Sequence, residues 1–97
     1  MATYTELYTL KSNADLQQRT VIAVMEWAED KLSTGTPIEI MAASQILRNP
    51  DSWGKAIFHA VLMDMKDQTV ATIEAATDTQ ILTSVTNAMA EWDLSQL

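Results

Sequence analysis

The residue in this 97-residue chain best suited to acid–base chemistry is its single histidine, His59. An imidazole can act as a general base when a nucleophile or substrate and an orienting partner lie within reach. The sequence places Phe58 and Ala60 beside His59, and neither side chain can fill those roles. We therefore predict a structural or surface role for His59, no catalytic residues, and a protein that is not an enzyme.

Clustered carboxylates could instead bind a metal ion. Glu26 and Asp30 are spaced to share one helix face, and Glu29 lies beside them. Di-iron bundles use Glu-x-x-His pairs on facing helices, and calcium loops follow the EF-hand spacing; the sequence contains neither. We therefore predict a solvated acidic face, supported by Lys31, with no metal and no cofactor.

The serine of Asp51-Ser52-Trp53 is a third candidate for chemistry, as a site of covalent modification. Acyl carrier proteins are small, acidic and helical, and carry an Asp-Ser-Leu motif at a helix start. Here the third residue is Trp, and a helix is predicted where the carrier fold has a long loop. An N-cap role for Ser52 is favoured, and a carrier-like protein is kept as an alternative.

The charge distribution argues against nucleic-acid and membrane partners. The net charge is −7, and Lys66 is the last basic residue. Five carboxylates follow it without a basic residue among them: Asp67, Glu74, Asp78, Glu91 and Asp93. Such a surface repels phosphates and anionic lipids. A helix pair over 69–92 resembles a helix-turn-helix, but its second helix has no Arg or Lys to bind DNA.

The composition predicts an all-α fold. Hydrophobic residues make up 47% of the chain, and two glycines and two prolines leave little material for hairpin turns. The stretch Ala14–Ser33 contains Val21–Met25, which is apolar on every side, as in a buried helix. We predict one domain over 1–97, a compact bundle of five or six short helices around this central helix.

Start and stop signals divide the rest of the chain. Thr3 and Glu6 have capping-box spacing, which predicts a helix over Tyr4–Leu10 whose face of Tyr4, Leu7 and Tyr8 packs on the central helix. Gly35 is expected to end the central helix in a left-handed cap. The remaining signals predict a helix from Pro37 to before Pro50, one from Trp53 to about Met65–Asp67, a short one after Thr69, and a last one over Asp78–Trp92.

The third helix is predicted to bury a stripe of Ile38, Ala42, Ala43, Ile46 and Leu47. Three tryptophans and two tyrosines are many for one small core, and Tyr, Trp and Met are enriched at subunit contacts. The predicted contact residues lie toward the two ends of the chain and at the turn before the fourth helix: Tyr4, Tyr8, Trp53, Trp92, Leu94 and Leu97.

Several segments together resemble a group of small virion proteins of tailed bacteriophages. They are Tyr4-Thr5-Glu6-Leu7-Tyr8, Leu10, Leu16, Arg19, Val21-Ile22-Ala23-Val24, Arg48-Asn49-Pro50, Thr69–Ile73 and Ala76-Thr77-Asp78. The third segment, Ile40–Gln45, departs from the pattern. The resemblance implies a structural role in the capsid, neck or tail, with no catalytic residues to carry over.

We therefore expect a non-enzymatic assembly protein that contacts itself and other virion proteins and takes no small-molecule substrate. It would be made in the host cytoplasm, since the N-terminus lacks the features of a signal peptide and no apolar stretch could span a bilayer. The alternative is a monomeric acidic helical module, either a carrier modified at Ser52 or an inhibitor that mimics nucleic-acid charge.

Overall fold

The structure is a computed structural model that describes residues 2–96, and these residues form helices and connecting turns without a strand. The elements in chain order are α1 (Tyr4–Leu10), α2 (Ala14–Thr34), α3 (Pro37–Arg48), α4 (Pro50–Asp64), α5 (Val70–Glu74), α6 (Asp78–Glu91) and a 3-10 helix (Leu94–Gln96). The long helix α2 packs against α3, α4 and α6. The predicted all-α bundle around a central helix is confirmed.

Threonine capping boxes begin three of the helices, as the spacing predicted. In α3 the backbone N–H of Thr36 donates to Glu39 Oε1 at 2.9 Å, and the Glu39 N–H donates to Thr36 Oγ1 at 3.4 Å. The same reciprocal pair joins Thr3 to Glu6 and Thr77 to Gln80. These bonds satisfy backbone N–H groups that have no partner within the helix.

Two predicted turn roles are wrong. Gly35 caps α2 with φ −79° and ψ 166°, which is extended rather than left-handed backbone. Its small size matters instead, because a Cβ there would lie 2.6 Å from the carbonyl oxygen of Lys31. Ser52 is not the N-cap of α4: that position belongs to Asn49, and Ser52 lies exposed in the first turn.

The core lies along α2, but the helix is not buried on every side. Val24 and Ala28 are fully buried, and Thr20 satisfies its hydroxyl by donating to the Leu16 carbonyl at 2.9 Å. Ile22, by contrast, is 49% exposed. It lies one turn from Arg19 and borders a depression between α2 and Asp78 at the start of α6.

The apolar face of α1 differs from the prediction. Leu7 and Leu10 are its buried residues, and the helix packs on α4 and α5 rather than laying Tyr4 and Tyr8 on α2. Tyr4 is 72% exposed and Tyr8 64%. Tyr4 and Tyr8 are therefore largely exposed instead of packed in the core.

The predicted stripe of α3 is confirmed only in its central part. Ala42, Ala43 and Ile46 are buried against the bundle, and Leu47 is partly buried against it. Ile38, in the first turn of α3, is 47% exposed, so its predicted place in the buried stripe is wrong.

Candidate protein-binding surface

The outward side of α4 forms the centre of the most distinctive surface of the molecule. His59 and Met63 lie one turn apart on it, and both are exposed. Helix α1 packs along one flank of α4 and α6 along the other. We call the side formed by Tyr4, Tyr8, His59, Met63 and Trp92 the outer α4 surface.

On the α1 flank, a small apolar cleft separates the tyrosines from α4. Its lining consists of Tyr4, Leu7, Tyr8, Lys11, His59, Leu62 and Met63. The ammonium of Lys11 lies 5.6 Å from the centre of the Tyr8 ring, a cation–π distance. This contact, together with the rigid helix, favours one position of an otherwise exposed ring.

On the α6 flank, an open groove of about 730 Å³ runs between α4 and the end of α6. Its lining consists of His59, Ala60, Met63, Asp64, Lys66, Asp67, Ala88, Glu91, Trp92 and Asp93. His59 and Met63 border both this groove and the tyrosine cleft. The two depressions therefore form one continuous surface across α4.

The structure brings together three of the six residues predicted to make contacts. Tyr4, Tyr8 and Trp92 border the outer α4 surface. Trp53, at the start of α4, and Leu94, in the 3-10 helix, are half-buried against the core and line neither depression. Leu97 lies outside the described residues. A contact role for each of the six stays a prediction.

Sequence reasoning did not single out Met63 and gave His59 no contact role, although these two residues join the depressions. Met63 lies outside the apolar stripe of α4 and is 38% exposed. An apolar side chain on the polar face of an amphipathic helix was the available signal. His59 lies one turn before it and is exposed, in agreement with the predicted surface role.

A second set of exposed apolar side chains lies around the turn between α2 and α3. Its members are Leu32, Ile38, Ile40 and Met41, of which Met41 is 71% exposed. The turn is held by an ion pair in which Lys31 Nζ lies 3.4 Å from Glu39 Oε2. Of these residues, Ile38 and Met41 are three apart and share one face of α3, and we call this pair the α3 patch.

The groove is electrostatically negative. Asp64, Asp67 and Glu91 border it, with Lys66 as the one lysine or arginine among its lining residues. None of the three carboxylates forms an ion pair with another described residue. Asp64 Oδ2 accepts a long hydrogen bond of 3.4 Å from Asn87 Nδ2. These side chains can therefore attract a cation from outside the chain.

The acidic face of α2 is solvated, as the sequence predicted: Glu26, Glu29 and Asp30 are all exposed. Lys31 forms its ion pair with Glu39 of α3 rather than with this face, so its predicted support for the face is wrong. In residues 2–96, no group of three or more histidines and carboxylates is arranged to hold a metal ion. Among the helices of the same residues, none has both the length and the hydropathy of a membrane span.

No protein-family model, no characterised protein and no solved structure matches this chain.

Proposed function

We propose that the chain is a non-enzymatic structural protein of a tailed-phage virion that binds its protein partners through the outer α4 surface. The observation that supports this is the position of Tyr4, Tyr8 and Trp92, which come from opposite ends of the chain and border one continuous surface. Tyr, Trp and Met are enriched at protein interfaces, and Tyr and Trp are enriched among the residues that contribute most to the binding energy.

The α3 patch supports repeated contacts rather than a single pairing. Helix α1 comes just before the start of α2, and the α3 patch comes just after the end of α2. Because α2 has 21 residues, its two ends are about 30 Å apart. A ring or shell built head to tail from one chain needs two different contact surfaces. The tyrosine side of the outer α4 surface and the α3 patch would supply them, which leaves the groove side for a different protein, and many weak contacts of this kind add up through avidity.

The assignment to a virion, in its capsid, neck or tail, rests on the resemblance of the opening, middle and late segments to small phage virion proteins. An acidic exterior also keeps free subunits apart until a partner is available.

The test combines light scattering of the purified protein, over a range of concentrations, with mass spectrometry of purified virions of the encoding phage. We expect the chain in the virions, and oligomers alone or with a virion protein. Tyr8→Ala and Trp92→Ala should weaken assembly more than folding. The control is Ile22→Ala, which removes an exposed apolar side chain outside both surfaces.

A chain that stays monomeric and is absent from virions would contradict the proposal. Two further measurements then identify the alternatives. Binding to a basic DNA-binding protein, competed by DNA, would indicate a nucleic-acid mimic. A mass increase at Ser52 after incubation with a phosphopantetheinyl transferase would indicate a carrier protein.

A further inference from the structure

Two helices end beside the same groove with acidic rather than basic residues. Helix α4 ends at Asp64 and α6 at Glu91, and neither has a basic residue in its last turn. The C-terminal end of a helix carries a partial negative charge, which lysine or arginine normally offsets. Here each carboxylate adds to that negative charge, and both line the groove.

The other charged residues of the groove do not reverse this balance. Asp67 adds a further carboxylate, Asp93 is held in contacts within the chain, and Lys66 contributes one positive charge. Between these charges the groove offers apolar surface from Met63, Ala88 and Trp92. The groove therefore combines carboxylates with apolar surface.

We propose that this groove binds a segment of a different protein in which a lysine or arginine adjoins an apolar side chain. The apolar side chain would pack on Met63 and Trp92, and the cation would lie beside the carboxylates of Asp64 and Glu91. This inference rests on the proposed function, because it names the chemistry of the partner at the outer α4 surface.

Charge complementarity selects this occupant over the others. A second copy of the chain also carries a net charge of −7, so two copies repel one another at long range. Phosphates and anionic lipid headgroups would meet the same repulsion. A cationic partner gains from the carboxylates of Asp64, Asp67 and Glu91, because all three line the same groove.

The experiment uses two synthetic amphipathic helical peptides with the same leucine positions. One carries lysine at every polar position and the other glutamate. Binding to the full chain is measured by calorimetry and by backbone amide shifts. We expect the lysine peptide to bind and to shift amides of α4 and α6, with affinity that falls as salt rises, and the glutamate peptide not to bind.

Matched variants separate the groove from the general acidity of the chain. Asp64→Asn with Glu91→Gln removes two charges at the groove, and Glu29→Gln with Asp30→Asn removes two from the exposed face of α2. The groove variant should weaken binding by about three- to tenfold, as expected for two exposed ion pairs. The α2 variant should weaken binding by less than about twofold, because its two charges lie outside the groove and act on the peptide only at long range.

Equal weakening by both variants would overturn the inference, since it would show attraction to net charge alone. Equal binding of the two peptides, amide shifts confined to other helices, or no binding of the lysine peptide would overturn it as well. None of these results bears on whether the chain is found in virions or forms oligomers, so the proposed function fails or stands on its own test.

Discussion

Arg19 and Asp78, which are 59 residues apart in the chain, join the central helix to the start of the last one. Arg19 Nε donates to Asp78 Oδ1 at 2.9 Å, and Arg19 Nη2 lies at the same distance from that oxygen. The same Nη2 also donates to the carbonyl oxygen of Ala76 at 2.6 Å. One guanidinium thus fixes the turn between α5 and α6 against α2.

Replacing Arg19 should cost more than replacing Asp78. Arg19→Met loses the bond to the Ala76 carbonyl as well as the ion pair, and we expect a loss of about 1–2 kcal/mol in unfolding free energy. Asp78→Asn should cost less than about 1 kcal/mol, because the Asp78 side chain is 88% exposed. Urea denaturation measures both. Equal costs would show that the ion pair, rather than the carbonyl bond, carries the contribution.

Gly54 marks the closest approach of α4 to α2. A Cβ at this position would lie 2.6 Å from Val21 Cγ2 and 3.1 Å from Val21 Cα. Gly54→Ala gains about 1 kcal/mol of helix propensity but overpacks the crossing by about 1–3 kcal/mol, so a net loss is expected. Thermal unfolding should show it, and adding Val21→Ala should recover part of it. A more stable Gly54→Ala protein would show that the two helices can move apart freely.

Val24→Asp should abolish folding. The side chain of Val24 is fully buried, and an unpaired buried charge costs several kcal/mol, roughly 3–5, out of a total stability of about 5–15 kcal/mol. The matched control is Ile22→Asp, two residues away and 49% exposed, which should fold. Circular dichroism distinguishes the two proteins. A folded Val24→Asp protein would show that this face of α2 is not in the core.

The capping boxes predict a loss of stability in acid. The backbone N–H of Thr36 donates to Glu39 and lowers the pKa of that carboxyl, and the N–H of Thr3 does the same for the pKa of Glu6. A lowered folded-state pKa stabilises the fold above the unfolded value, about 4.3 for glutamate. That stabilisation is lost as the pH falls through the folded-state pKa.

Glu39→Gln should therefore reduce the slope of stability against pH below about pH 5, the range in which glutamate titrates. The box of α6 shows that glutamine supports the same geometry, because Gln80 Oε1 accepts from the Thr77 N–H at 2.8 Å. Chemical denaturation across this pH range is the measurement. An unchanged slope in Glu39→Gln would mean that Glu39 does not contribute to the acid sensitivity.

Most helix boundaries were predictable because their signals are local, but the predicted start of α4 at Trp53 is wrong, since the helix begins at Pro50. The hydroxyl of Thr36, the ring of Pro37 and the carboxylate of Glu39 lie within four residues and define the start of α3 without help from the rest of the fold. The stop before Pro50 is local in the same way.

The burial of a side chain was predictable only where the sequence also indicated which helix packs against it. Ile22 and Ile38 have the same apolar character as buried residues, and their exposure depends on where other helices end. The docking of α1 depends on α4 and α5, which follow it by 40 residues or more in the sequence. The ion pair between Arg19 and Asp78 is equally non-local.

The candidate surface was likewise predictable in part, for its aromatic residues but not for their arrangement in space. The composition suggested that Tyr4, Tyr8 and Trp92 make contacts, since aromatic residues exceeded the needs of a small core. That His59 and Met63 join them into one surface depends on α4 lying between α1 and α6. No pattern in the sequence indicates that α4 lies between these two helices.

The three tryptophans differ in burial: Trp27 is in the core, whereas Trp53 and Trp92 are half-buried. Indole fluorescence depends on contact with water, so the chain contains optical reporters of distinct events. A protein with Trp27 alone would report loss of the core through a red shift in emission. A protein with Trp92 alone would report occupation of the groove through protection from acrylamide quenching, while the core remains optically silent.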